Sequence, residues 1–357
     1  MRKDRIESLI DLMQKNHIYQ AIITSTSSIY YFLQEWIEPG ERLIALFINI
    51  SGKVKLITNE INRIQNLHED YLLKYSDSEN PIKILTSFIK SDEKVGIDEK
   101  WNAGFLLDLI KEINTTNLEN ISPLISNLRM IKDSEEIRLM KASSLINDNA
   151  MEKVIEIVSE MLPEKYLAKA IKNIFEKEGA DEVSFNPIIG YGKNSSDPHH
   201  LPDNSKVKDG DPVLIDIGCI KNYYCSDMTR TVFFGKPTEK MKDIYQIVLD
   251  ANLQAIEHVK PGVMASEVDS IARNFIKNKG YGDFFKHRLG HGVGLEIHEP
   301  PYISFNSKTT LKPGMIFSIE PGIYIPKIGG VRIEDLVLVT ENGFEVLNKY
   351  PKDFIVI

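Results

Sequence analysis

The stretch VLIDIGCIKNYYCSDMTRTVFF, residues 213–234, decides how this chain reads. Val213 to Cys219 and Tyr223 to Phe234 have the apolar, β-branched character of two strands. Lys221-Asn222 is the expected turn, because Asn tolerates the positive φ of a tight hairpin loop. A two-residue loop pairs Ile220 with Tyr223, and counting outward sets Asp216 opposite Asp227. Their Cβ atoms would then lie about 5 Å apart on one face. Two like charges at that distance cost about 3 kcal/mol at an effective dielectric near 20. A cation sits between them, one acid is protonated, or the hairpin turns a polar face to water. The apolar neighbours of Asp216 argue against the last. Thr229 shares the face and is placed to orient a ligand from behind.

Two further acids and a histidine join this pair. Glu320 ends MIFSIE, residues 315–320, just before the turn Pro321-Gly322. Glu334 lies in VRIEDL, residues 331–336, where strand parity puts Arg332 on its face. That pair is an ordinary salt bridge, or Arg332 stands in the site, binding a substrate carboxylate or holding Glu334. The run HRLGHGVGLEIHEPP, residues 287–301, holds three of the chain's eight histidines. Gly290 and Gly292 flank His291 and let its backbone approach a neighbour closely. The glycine spacing is not a dinucleotide fingerprint, and His298-Glu299 does not open a helical HExxH motif, since two prolines follow. DPHHLP, residues 197–202, is a rigid loop with adjacent histidines. Four acids in strand-like segments are costly unless paired or metal-bound. Two divalent cations would cancel their charge.

The 357 residues suggest two domains. The net charge of -8 disfavours a general nucleic-acid binder. No run of eighteen apolar residues predicts a membrane span, and the N-terminal stretch carries acids and lacks a signal-peptide core, so a cytoplasmic location is expected. The two cysteines, Cys219 and Cys225, fall on opposite strand faces, which disfavours a disulfide. They read as small buried hydrophobes, with a minor metal-site role for Cys225 as the alternative. Residues 1–125 read as a small α/β unit, opening with an amphipathic helix over 4–16. Ile121–Asn127 reads as a linker. From 128 on, the order helix, helix, strands occurs twice: helices from Ser134 to about 160 and over 164–178, then from Thr238 to about His258 and from Ser266 to about Gly280. The order predicts an α+β domain of two similar halves.

Together, DIGCIKNYYCSDMTRT, HRLGHGVGLEIHEPP, GMIFSIEPGIY and GGVRIEDLVLVT, with LRMIKDSEEI and DPHHLP, resemble the metallopeptidases of the creatinase/methionine aminopeptidase ("pita-bread") fold. The prolidase and aminopeptidase P branch is the best match. The resemblance covers residues 128–350; the N-terminal unit matches in length and layout. It implies that Asp216, Asp227, His291, Glu320 and Glu334 ligate two divalent metals, with Asp227 and Glu334 shared. It further implies that His298 polarises the scissile carbonyl, that His199 contacts substrate, and that Glu320 carries protons to and from a metal-bridging hydroxide. Hard oxygen ligands with one imidazole suit manganese, cobalt, iron or zinc, and the family points to manganese or cobalt. The implied activity is an Xaa-Pro dipeptidase acting on small peptides with proline second, and the implied assembly is a homodimer. Tyr302 departs from the pattern: many prolidases carry there an arginine that clamps the dipeptide carboxylate. His200 also replaces a small residue. Both changes favour the alternative, an Xaa-Pro aminopeptidase acting on longer peptides, whereas GHGVGLEIHE and the compact length favour the dipeptidase. A non-catalytic binder on this fold has no reason to keep all five ligands, and a creatinase-like amidinohydrolase lacks them.

Overall fold

The structure, a computed structural model, describes residues 1–357 and divides into two compact units, Met1–Arg129 and Met130–Ile357. The first holds six strands, β1 (Gln20–Ile23), β2 (Ala45–Asn49), β3 (Val54–Asn59), β4 (Leu72–Tyr75), β5 (Val95–Ile97) and β6 (Leu118–Asn120), in the order β4-β3-β2-β1-β5-β6. Helices α1 (Lys3–Lys15), α2 (Thr26–Leu33), α3 (Pro81–Thr86), α4 (Ala103–Ile113) and α5 (Ser122–Arg129) accompany them. The stripe predicted for α1 is buried at Ile6, Leu9 and Met13. The expected linker over 121–127 is instead mostly α5. Pro123 is no obstacle there, because a helix's first turn has no N–H partner to lose.

The second unit opens on α6 (Ser134–Val158), closed at its start by a full capping box. Asp133 accepts from the Glu135 and Glu136 amides, and Glu136 reaches back to the Asp133 amide. Next come α7 (Glu164–Lys177), β7 (Glu182–Val183), β8 (Ile188–Tyr191), β9 (Pro212–Ile217), β10 (Cys219–Lys221), β11 (Tyr224–Cys225) and β12 (Met228–Phe233). The pattern then recurs with α8 (Glu239–Glu257), capped by Thr238, and α9 (Ala265–Asn278). The strands that follow are β13 (Gly290–Gly292), β14 (Glu299–Ile303), β15 (Ile316–Ile319), β16 (Gly322–Ile325), β17 (Gly329–Arg332), β18 (Asp335–Val339) and β19 (Phe344–Val346).

Each helix pair covers its own sheet. Leu167, Ile171 and Phe175 of α7 pack with Ile189, Val213, Ile215 and Val232 over the sheet β12-β9-β8. Val248, Ala255, Val268 and Ile276 pack with Phe317, Ile319, Val337 and Val339 over the sheet β14-β13-β15-β18-β19. The two first helices also share a device. Asn147 of α6 donates its side-chain amide to the Ile217 carbonyl at 2.9 Å. Asn252 of α8 donates to the carbonyls of Ile319 at 2.9 Å and Ile333 at 3.3 Å. Both asparagines are fully buried, and each fixes a backbone group next to a site carboxylate.

The hairpin differs from its expected register. Lys221 pairs with Tyr224 and Ile220 with Cys225, so Asn222 and Tyr223 form the turn, at φ 49° and 71°. Positive φ at both turn positions is the type I′ geometry that matches strand twist. The register therefore moves by two residues, and Asp216 faces Thr229 rather than Asp227. An even shift keeps every side chain on its face, so Asp227 still projects with Asp216.

A candidate metal centre

All five expected ligands line one cavity of about 610 Å³ in the second unit, together with His199, His298 and Arg332. Asp216 projects from β9 and His291 from β13. The other three acids stand where strands stop: Asp227 between β11 and β12, Glu320 after β15, Glu334 between β17 and β18. Gly290 and Gly292 permit the His291 placement by close approach. A Cβ on Gly290 would lie 1.8 Å from the Ser318 carbonyl oxygen, and one on Gly292 2.3 Å from that of Pro300.

Hydrogen bonds fix each ligand. The Arg332 guanidinium gives Nη2 to Asp216 Oδ2 at 2.6 Å, Nε to Thr229 Oγ1 at 3.0 Å and Nη1 to the Tyr324 hydroxyl at 2.9 Å. Thr229 passes its own proton to Glu334 Oε2 at 2.7 Å. Ser318 accepts from the His291 amide and donates to Glu320 Oε1 at 3.2 Å. The Arg332–Glu334 pairing expected from strand parity thus gives way to an Arg332–Asp216 ion pair, with Thr229 joining Arg332 to Glu334. The strand break at Ile333-Glu334 separates the two side chains.

The donor set fits a divalent cation. Ligand atoms of Asp227, His291 and Glu334 lie within 4.8 Å of one another, and all three residues are buried. His291 Nδ1 lies 3.2 Å from the Gly292 carbonyl oxygen, so it carries the ring proton. The bare Nε2 then lies 3.3 Å from Glu320 Oε1 and 3.7 Å from Asp227 Oδ2. Burial first, and then repulsion from the His298 ring whenever that ring is protonated, lower the His291 pKa to about 3, so the His291 ring is neutral. A lone pair aimed at carboxylate oxygens is repulsive unless a cation or a proton lies between them. Asp216 Oδ1 is buried with no hydrogen-bond partner, one more oxygen left over for an ion. Burial, then the Glu334 and Asp216 charges, push Asp227 well above the usual carboxylate range. Burial, then Glu320 and Asp216, do the same to Glu334. Glu320 is pushed up to about 7, mainly by burial.

The flanking histidines take different parts. His298 keeps solvent contact on the cavity wall, its ring 4.3 Å from that of His291. Loss of water, then the Arg288 charge, lower its pKa, which keeps the ring neutral with one N–H to give. His199 is exposed into the cavity, whereas His200 Nε2 donates to buried Glu164 Oε2 at 2.7 Å. Glu164 also accepts from the Tyr191 and Asp203 amides and from Asn194, so it anchors the whole histidine loop. Sequence reasoning missed Glu164, Ser318 and Tyr324. Only Ser318 carried a signal, two residues before Glu320 on the same strand face. Cys219 and Cys225 are free and buried, burial raises both thiol pKa values, and neither lines the cavity.

This fold and this cluster of carboxylates and imidazole define a metal-dependent hydrolase centre. The chain belongs to metallopeptidase family M24, whose profile matches residues 138–341, and residues 5–131 match the creatinase/prolidase N-terminal domain. It is therefore a metallopeptidase with a creatinase-type first unit and a pita-bread catalytic unit, and its family uses divalent metal. It is 38% identical to the Xaa-Pro dipeptidase of Pyrococcus furiosus, over 99% of this chain and 100% of that one. It is 37% identical to the Xaa-Pro dipeptidase of Pyrococcus horikoshii, over 99% of both. A crystal structure of prolidase from Thermococcus sibiricus superposes with a TM-score of 0.94 at 37% identity, covering 100% of this chain and 99% of that one. No helix is long and apolar enough to cross a membrane.

Proposed function

We propose that this protein is an Xaa-Pro dipeptidase, holding two divalent cations, manganese or cobalt, on Asp216, Asp227, His291, Glu320 and Glu334. The carrying observation is the convergence of the ligands: His291 Nε2 lies 3.3 Å from Glu320 Oε1 and 3.7 Å from Asp227 Oδ2, and Asp227, His291 and Glu334 offer donor atoms within 4.8 Å of one another. Cations bound there would acidify a water and polarise a peptide carbonyl. The protein's own groups supply the rest. Thr229, Ser318 and Arg332 hold the carboxylates in place. His298, neutral and open to the cavity, donates its N–H to the scissile carbonyl oxygen as charge develops there. His199 contacts the substrate from the facing loop. Glu320 takes the proton of the attacking water and returns it to the prolyl nitrogen as the C–N bond breaks. Free cysteines suit a reducing compartment, and the proposal places the protein in the cytoplasm. A homodimer, implied by the family resemblance, completes it and is measurable by light scattering.

The test is hydrolysis of Met-Pro and Gly-Pro beside Gly-Pro-Ala by the Mn²⁺-loaded protein. Cleavage of the dipeptides alone, lost with chelator and restored by Mn²⁺ or Co²⁺, is expected. Cleavage of only the tripeptide makes the protein an aminopeptidase. Bound metal without any cleavage makes it a binder.

A further inference from the structure

The cavity wall carries two arginines, and only one has its charge spent. Arg332 is buried and gives donors to Asp216, Thr229 and Tyr324. Arg288 forms no ion pair. Its guanidinium instead lies over the ring of Tyr302, 4.4 Å from the centroid. Stacking on an aromatic face orients a guanidinium while leaving its edge N–H groups free for a planar acceptor. The surrounding backbone is anchored. Arg273, paired with Asp269, donates to the carbonyls of Phe285 and His287 at 3.2 and 2.9 Å, and His287 Nδ1 donates to the Arg288 carbonyl at 2.7 Å. The charge also reaches the centre: it lowers the pKa values of His298, His291 and Glu320.

A free dipeptide brings a carboxylate into a cavity whose four acids the bound cations neutralise and whose Arg332 is already paired with Asp216. That carboxylate still loses water on entry and needs a cation of its own to offset the loss. We propose that Arg288, stacked on Tyr302, binds the substrate's C-terminal carboxylate and makes this site prefer dipeptides with a free acid terminus. The inference rests on the dipeptidase reading. The carboxylate accepts from the guanidinium edge, and Tyr302 serves as a platform rather than a partner.

The experiment compares Met-Pro with its amide, Met-Pro-NH₂, on the Mn²⁺-loaded protein. Wild-type turnover of Met-Pro tests the dipeptidase reading by itself. Given that turnover, Arg288→Met is expected to lose about 10- to 100-fold in kcat/KM for Met-Pro, carried by KM. Its loss on the amide is expected to be at least tenfold smaller. Arg288→Lys, which keeps charge without the fork, falls between. Tyr302→Ala follows Arg288→Met in direction, and Tyr302→Phe, which keeps the ring under the guanidinium, is expected to lose at least about fivefold less than Tyr302→Ala on Met-Pro. Equal losses on acid and amide, a loss confined to kcat, or no loss at all overturns the assignment. If Arg288→Met fails to fold by circular dichroism, Arg288→Lys and the Tyr302 pair decide on the same criterion.

Discussion

Replacing Glu320 with glutamine is expected to stabilise the metal-free protein and to weaken the metal-loaded one. Glutamine keeps the shape of the side chain and removes its charge. In the folded, metal-free protein the Glu320 carboxyl is pushed from an ordinary value near 4.5 up to about 7, mainly by burial. The folded state therefore holds this proton more tightly than the unfolded chain does. The resulting stability is complete below about pH 4.5 and is lost as pH rises through 7. A displacement of that size is worth about 3 kcal/mol, or about 6–12 °C in Tm for a unit of this size.

The raw pH profile of the wild type does not isolate this effect. His287 and His291 have pKa values lowered to about 3, mainly by burial. Their stability is present above pH 6.5 and lost as pH falls toward 3, the opposite slope in an overlapping window. The difference between wild type and Glu320→Gln cancels His287, and what remains is the Glu320 charge together with its effect on neighbouring His291, Asp227 and Glu334. Scanning calorimetry in chelator is expected to show the two proteins alike at pH 4.5. At pH 8 the variant is expected to be more stable by about 3 kcal/mol. With Mn²⁺ the order reverses, because the variant lacks one ligand. A variant no more stable than wild type in chelator at pH 8 would refute the claim that this carboxyl is buried among like charges.

Thr229→Val removes the hydroxyl that joins Arg332 to Glu334; a loss of about 2–4 kcal/mol in urea unfolding and a 10- to 100-fold weaker metal affinity by titration calorimetry are expected. Lys132→Met strips the buried Glu299 carboxylate, 2.8 Å away, of its cation, and is expected to cost about 3–5 kcal/mol of stability by the same denaturation assay. Adding Glu299→Gln is expected to recover part of that loss.

The site was more legible than the local structure around it. Apolar runs broken by Asp216, Asp227, Glu320 and Glu334 announce burial of charge, and burial of charge announces compensation, whatever the register. The hairpin shows why: its turn lies one residue further along than the Asn222 signal suggests, yet the two-residue slip preserves the face. Strand ends were illegible because no glycine or proline marks the break at Asp227 or at Glu334, and strand-forming residues stand on both sides. What ends those strands is the tertiary pull of the site. The Glu334 amide, for instance, leaves its own ladder to donate to the Thr229 carbonyl at 3.1 Å. Arg332 was placed in the right site with the wrong partner, since parity within one strand says nothing about an acid on β9. Arg288 sat unread in the histidine run, because a cation's meaning depends on whether an acid meets it, and that is a fact of packing.

The ligands come from both halves of the catalytic unit: Asp216 and Asp227 from the first, His291, Glu320 and Glu334 from the second. Left alone, four like charges would push the halves apart at their seam. Contacts that need no metal oppose this. Arg230 donates to the Glu334 carbonyl at 2.6 Å and to Asp335 Oδ1 at 2.8 Å, and Lys352 meets the other Asp335 oxygen at 2.6 Å. Burial would raise the Asp335 pKa, but Arg230 and Lys352 outweigh it and hold the carboxylate below its usual range. Thr231 and Arg332 exchange hydrogen bonds across the same seam. The ion-pair network is satisfied directly behind Glu334, on the side away from the cavity. Chelation is therefore expected to leave the halves docked and to concentrate the electrostatic cost on the ligands, where protons relieve it. This is why the variant at Glu320 is expected to report on the metal-free site in an intact fold.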